Sequence, residues 1–378
     1  MSGSLDRLLE TAVADGTAPH LQATVIRGGD VVYESTAGPV APDAVYRIAS
    51  MTKAVTTVAV MQQVERGHIA LDAPVTDYLA LDPPRILTGF GREGEPLLVP
   101  ASRPPTVREL LTHTAGYGYD IWHPLLHQLF TGQGLAPIGP PGAARLTAPM
   151  IAEPGSAWHY SIATDFAGRL LEEVTGTDLE QCMRDGIFEP IGMPDTTFDP
   201  DPARLARLAS VHRRRSSGEI VPVELPPPAS SGFRSGGGGL TATRADYVRF
   251  LKALLAGGSL DGAPILAAET IDLMSENQTG TLPIGPMESY DPASSARVDL
   301  FPGLQTAWGL GFQLNLDPVP ERRHAGAMTW AGLYNTHFWI DRSAGIAGLL
   351  MTQMLPFVDP RFIGLYAELE REVYRVLT

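Results

Sequence analysis

The chain has 378 residues, 44% of them hydrophobic and 19% charged, with a formal net charge of −14 at neutral pH. That composition reads as a globular protein with a large core in one or two domains, and the negative charge excludes nucleic acid and anionic membrane surfaces as natural partners. A single cysteine, Cys182, rules out an internal disulfide and any multi-cysteine metal site, and within Leu179–Met183 it reads as a small core residue.

The segment Met1–Arg7 has neither a basic n-region nor an apolar h-region. No stretch approaches the roughly 18 apolar residues of a membrane span, so a soluble, cytoplasmic protein is expected. Leu5–Val13 has the pattern of an amphipathic helix. Leu21–Ile26 and Val31–Ser35 read as strands, joined by the hairpin signal Arg27-Gly28-Gly29-Asp30. From Ser50 to about Val64 the residues Met51, Val55, Val58, Met61 and Val64 recur at helical steps. Residues 76–230 show helical patterns between Pro- and Gly-rich loops, such as Pro137–Gly142 and Pro226-Pro227-Pro228, and are expected to form a mainly helical insert facing a sheet across a cleft. The run His212-Arg213-Arg214-Arg215 reads as a solvated loop.

Gly236-Gly237-Gly238-Gly239 lacks the following Lys-Ser or Lys-Thr of a phosphate loop. It reads as a flexible loop before a helix over Tyr247–Leu255, capped by Thr243 with Asp246. Trp308–Leu314, Leu333–Ile340 and Ile346–Gln353 read as strands, the last two around the turn Asp341–Gly345, and Arg361–Leu377 as a final helix. Strands gathered at both ends predict an α/β (α+β) architecture in which one antiparallel sheet is assembled from both termini. Residues 1–75 and 231–378 would form that sheet domain, and 76–230 the insert.

Chemistry concentrates at Ser50-Met51-Thr52-Lys53. Residues three apart share a helix face, so the hydroxyl and the amine can meet. A serine is a poor nucleophile until a neighbouring base takes its proton, and a deprotonated amine can do so. A solvated lysine, with a pKa of about 10.4, is almost never neutral at pH 7. A working Lys53 therefore needs a poorly solvated pocket or a nearby cation. A Ser-His-Asp hydrolase is the natural rival, but no G-x-S-x-G occurs in the chain. His123 and His127 have i, i+4 spacing, yet no third ligand stands out, and neither metal nor cofactor is expected.

Further segments follow in order: Gly67–Val75, Thr106–Gly116 with its Leu111-Thr112-His113-Thr114-Ala115-Gly116, Pro154–Ser161 and Ile187–Met193. With the S-x-x-K they resemble the serine β-lactamase and penicillin-binding-protein superfamily over roughly residues 20–350. Within it the chain is most similar to class C β-lactamases and, closer still, to family VIII carboxylesterases. The resemblance implies a β-lactamase/transpeptidase-like fold with Ser50 as nucleophile and Lys53 with Tyr160 as the proton-transfer pair. His113 would be architectural. An oxyanion hole from the backbone N–H groups of Ser50 and Leu333 is likewise implied.

Two departures from the β-lactamases bear on substrate. Ile162 replaces the asparagine of Y-x-N, and Trp330-Ala331-Gly332 resembles the W-x-G of the esterases where β-lactamases carry K-T-G. His324-Ala325-Gly326 is a second candidate for that position. A tryptophan there implies an apolar wall in place of a cation. Arg234, Arg322 or Arg323 could supply the cation another way. Trp330, Ala331, Gly332 and Ile162 are thus expected to face substrate. The implied function is a serine carboxylesterase cleaving uncharged short- to medium-chain esters through an acyl-enzyme. Its rivals are a β-lactamase, a D-amino-acid peptidase, an acyltransferase and a catalytically silent penicillin-binding-like protein. The expected partner is a small-molecule ester, and the sequence leaves the oligomeric state open.

Overall fold

The computed structural model describes residues 2–134, 146–228 and 232–377. Its centre is a seven-stranded antiparallel sheet in the order Thr306–Trp308, Gln313–Asn315, Met328–Gly332, Thr336–Asp341, Ile346–Met351, Leu21–Arg27, Asp30–Ala37. Strands from the two ends of the chain pair within it, Leu21–Arg27 with Ile346–Met351, as the strand pattern predicts.

Alternation along Leu21–Arg27 sorts two cores. Leu21, Ala23 and Val25 face the N-terminal helix Ser2–Ala14 and the C-terminal helix Pro360–Leu377. Ile26 faces the larger core, which also holds the helices Thr52–Glu65 and Arg244–Leu255. Thr243 caps the latter through the Asp246 N–H at 3.2 Å, as expected from its sequence.

Thr52–Glu65 is not half-solvated: every residue from Thr52 to Gln63 is buried. Its polar residues therefore need internal partners, since an unmet buried donor costs about 1–3 kcal/mol. Thr56 donates to the Gly236 carbonyl at 2.6 Å, and Gln62 to the carbonyls of Gly186 and Ile265 at 2.7 and 2.9 Å.

Several elements differ from expectation. Trp308–Leu314 is two short strands, because Gly309 and Gly311 turn the chain between them. Leu333 lies in the turn before Thr336–Asp341, where Asn335 takes a positive φ of 60°. The basic run forms a strand, His212–Arg214, paired to Met354–Leu355; Arg214 is bound to Asp359 at 2.7 Å and to the Thr17 carbonyl at 2.8 Å. Residues 76–228 carry helices such as Val107–Leu111, Pro124–Gly132 and Ala163–Thr175, and also a hairpin of Arg85–Phe90 with Pro96–Pro100. The Pro137–Gly142 loop and the expected boundary at 230/231 fall outside the described residues.

Candidate active site

Ser50 sits in a tight 3-10 turn, Ala49–Met51, just ahead of the buried helix. Ala49 holds φ at +44°, a left-handed conformation disfavoured for a residue with a Cβ and found where function demands a sharp turn. One turn on, Lys53 is 1% exposed. Its Nζ lies 3.4 Å from Ser50 Oγ, 2.9 Å from the Tyr119 hydroxyl and 2.6 Å from the Gly237 carbonyl. All three partners are neutral. Burial lowers the lysine pKa from its ordinary value to about 7, with Asp165 pulling back the other way.

Tyr160 is 3% exposed and shares a hydrogen bond with the Ser50 side chain. Burial pushes its phenol well above the usual value, so it stays protonated. Lys53 Nζ stands 4.8 Å from the Tyr160 ring centroid, over its face. The amine's hydroxyl neighbour beyond Ser50 is thus Tyr119. Nothing in the sequence pattern marks Tyr119; it lies just past the Thr106–Gly116 segment, 66 positions from Lys53, and tertiary packing brings it in. Its ring also packs on Tyr160, with centroids 5.4 Å apart.

Trp330 lies in the strand Met328–Gly332 beside Tyr160, and its edge is not purely apolar. The indole N–H donates to the Tyr160 hydroxyl at 2.8 Å. His113 is buried beside Tyr160. It takes a positive φ of 60°, its Nδ1 lies 3.1 Å from Ser161 Oγ, and its ring is 4.6 Å from that of Tyr160. Burial, then the nearby Lys53 charge, press its pKa well below the ordinary value.

Gly332 closes the site. A Cβ there would fall 2.3 Å from the Ile48 carbonyl, so only glycine lets the turn carrying Leu333 lie against the turn carrying Ser50. Ala331 is 1% exposed beside it. Ile162 is 3% exposed, packed in the main core where the Ala163–Thr175 helix begins, and offers no polar group. A cavity of about 130 Å³ lies beyond Trp330, lined by Trp158, Met287, Val298 and Gln313 among others.

The arginines named as alternative cations are engaged elsewhere. Arg234 is bound to Asp199 at 2.5 Å, Arg323 to Glu370 at 2.7 Å, and Arg322 lies 3.7 Å from the same carboxylate. His324 pairs with Asp341 at 2.8 Å. That leaves Trp330 as the strand residue at Tyr160. The glycine run is buried over Gly236-Gly237 and supplies the carbonyls that hold Thr56 and Lys53. It is a packed cradle, not a flexible loop. His123 faces His159 with ring centroids 5.7 Å apart. Among the described residues no group of three or more His, Cys, Asp or Glu could hold a metal ion, and no helix is long and apolar enough to cross a membrane.

A family model described as Beta-lactamase matches residues 5–371. The acyltransferase calJ of Penicillium decumbens is 31% identical, over 90% of this chain and 86% of its own length. Esterase EstB of Burkholderia gladioli is 28% identical, over 93% of this chain and 90% of its own. A variant of the simvastatin synthase of Aspergillus terreus superposes with a TM-score of 0.84 at 29% identity, covering 99% of this chain and 94% of that one. The fold is thus β-lactamase/transpeptidase-like, and the relatives are enzymes of the serine-hydrolase type. The chain belongs to the beta-lactamase family.

Proposed function

We propose that the protein is a serine carboxylesterase acting on uncharged short- to medium-chain esters through an acyl-enzyme on Ser50. The observation that carries this reading is the buried Lys53 amine, 3.4 Å from Ser50 Oγ with its pKa near 7. Near neutral pH about half such amines are unprotonated. A neutral amine has two N–H donors and one lone pair, and two neutral acceptors, the Gly237 carbonyl and the Tyr119 hydroxyl, take the donors. The lone pair is left facing Ser50.

Lys53 then takes the Ser50 proton as Oγ bonds to the ester carbonyl carbon. The resulting oxyanion is met by the N–H groups of Ser50 and Leu333, where loss of one donor costs about 3 kcal/mol of barrier. The tetrahedral adduct expels the alcohol, which takes the proton held by the Lys53 ammonium while the Tyr160 hydroxyl donates a hydrogen bond to the departing oxygen. Water, activated by Lys53, breaks the acyl-enzyme. Tyr160, held as a phenol, serves as donor and Lys53 as the base.

A second reading, transfer of the acyl group to an alcohol that carries a carboxylate, is favoured by Arg47. This arginine lies three residues before Ser50. Its Nη2 donates to the Pro226 carbonyl at 2.7 Å, its Nε is buried without a partner, and no carboxylate pairs with it among the described residues. A guanidinium so placed suits a carboxylate, and the relatives include both an esterase and an acyltransferase.

One experiment tests both. Nitrophenyl esters of increasing acyl length are turned over with and without a hydroxy-acid acceptor, for wild type, Ser50→Ala and Arg47→Leu. Turnover should rise with pH through about 7 as Lys53 loses its proton and vanish in Ser50→Ala. A slow ester should leave its adduct on the peptide containing Ser50. Arg47→Leu should weaken transfer to the hydroxy acid more than hydrolysis. Full turnover by Ser50→Ala would overturn the serine mechanism, and transfer unchanged in Arg47→Leu would remove the second reading.

A further inference from the structure

We propose that Asp165 is a positioning residue for the base, holding the Lys53 amine in place and setting its charge state through the Gly237 peptide. The inference rests on the reading of Ser50 as nucleophile and Lys53 as its base.

Asp165 lies in the first turn of the helix Ala163–Thr175, five residues after Tyr160, and is 6% exposed. A carboxylate so deeply buried needs donors. It finds two on one oxygen: Ser235 Oγ donates to Oδ1 at 2.5 Å and the Gly237 N–H at 2.9 Å. The same Gly237 peptide presents its carbonyl to Lys53 Nζ at 2.6 Å. Carboxylate, peptide and amine therefore form one chain of hydrogen bonds, and a peptide whose N–H is bound by an anion offers a more strongly accepting carbonyl. Thr56 fixes the preceding carbonyl, that of Gly236, at 2.6 Å.

The glycines are there because this backbone comes close to its neighbours. A Cβ on Gly236 would fall 2.8 Å from the Thr164 carbonyl, and one on Gly237 would fall 2.9 Å and 3.1 Å from the two Asp165 oxygens. Among the described residues no ion pair engages Asp165, and its negative charge acts on Lys53 itself, opposing the effect of burial. It also raises the Tyr160 phenol, adding to burial and keeping that group protonated. The remaining groups facing the amine are Ser50, the Tyr119 hydroxyl, the Tyr160 ring and His113, whose imidazole is neutral near pH 7. Asp165 is thus the carboxylate that restrains how far burial can neutralise the base. Without it, Lys53 would lose its proton at lower pH.

The test uses a fluorophosphonate probe, which labels an activated serine without requiring the true ester. The rate of labelling is measured against pH for wild type, Asp165→Asn and Gly237→Ala, with circular dichroism to establish folding. Wild-type labelling should rise through a midpoint near the Lys53 pKa of about 7. Asp165→Asn keeps an acceptor oxygen but removes the charge, so its midpoint should move down by about one unit, its high-pH plateau staying within about threefold. Gly237→Ala keeps the charge but pushes the carboxylate aside, and should lower the plateau by about tenfold or more.

A folded Asp165→Asn whose midpoint matches wild type would overturn the inference while leaving the function standing. Should Asp165→Asn not fold, Gly237→Ala decides: labelling equal to wild type overturns the inference and a lowered plateau supports it. Wild-type protein that takes no label on Ser50 overturns the proposed function, and this inference with it.

Discussion

Lys53 and Arg323, the most deeply buried cations among the described residues, have been treated in opposite ways. Each is 1% exposed. Arg323 is gripped by both Glu370 oxygens at 2.7 and 2.8 Å, bonded to the Tyr366 hydroxyl at 3.0 Å and faced by the Trp339 and Phe301 rings. Burial would weaken its hold on the proton, but Glu370 and Tyr366 more than reverse that, so it is more firmly charged than in water. Lys53 meets only neutral oxygens and a distant carboxylate, and its pKa falls to about 7. Burial alone therefore does not mark a working group. What separates the two is whether a carboxylate touches the cation. Arg323 is a permanent ion that ties the Arg322–His324 segment to the C-terminal helix, whereas Lys53 can give up its proton and take another.

Substitution by methionine, which roughly preserves bulk, should therefore separate the two in opposite directions. Lys53→Met removes the base, and turnover of a nitrophenyl ester should fall by about a thousandfold or more, with a melting temperature close to wild type because no buried carboxylate is left touching an empty site. Arg323→Met should do the reverse. It leaves Glu370 buried without its partner, costing about 3–5 kcal/mol of stability, while turnover per folded molecule holds. Urea denaturation and active-site titration on the same preparations read both. A catalytically crippled but stable Arg323→Met, or a Lys53→Met that unfolds while retaining turnover, would break the distinction.

How much of this was legible in the sequence follows from the range of each interaction. Ser50 and Lys53 are three residues apart, so their meeting is a local consequence of a helix, and the ordered segments around them point to Tyr160 and Trp330. The sheet built from both termini was readable from the strand-like runs Leu21–Ile26 and Ile346–Gln353 at its two ends. Tyr119 and Asp165 were not, because their places at Lys53 are made by packing across 66 and 112 positions, with no period to announce them. The glycine run misled for a physical reason. Glycine serves a solvated turn and a tightly packed backbone equally well, and only the neighbours, Thr164 and Asp165, reveal which. Arg214 belongs to the same class: three consecutive basic residues look solvated until Asp359 arrives from 145 positions away.

The finest contrast between the two cations lies in what orients them, and Tyr119 tests it. Arg323 is held by a fork of charged contacts, so loss of one neutral partner should change little. The neutral Lys53 amine depends on neutral partners to aim its lone pair, with Tyr119 at 2.9 Å and Gly237 at 2.6 Å taking its two N–H groups. Tyr119→Phe keeps the ring against Tyr160 but removes the acceptor. One N–H is then unmet, the amine can turn away from Ser50, and kcat/KM should fall by about tenfold, or about 1.4 kcal/mol, the scale of one neutral hydrogen bond. The protonated amine, with three donors to place, loses an acceptor as well. The acid limb of the pH profile should therefore move to lower pH, not higher. An unchanged rate together with an unmoved limb would make Tyr119 a packing residue only, and would leave Gly237 alone to orient the base.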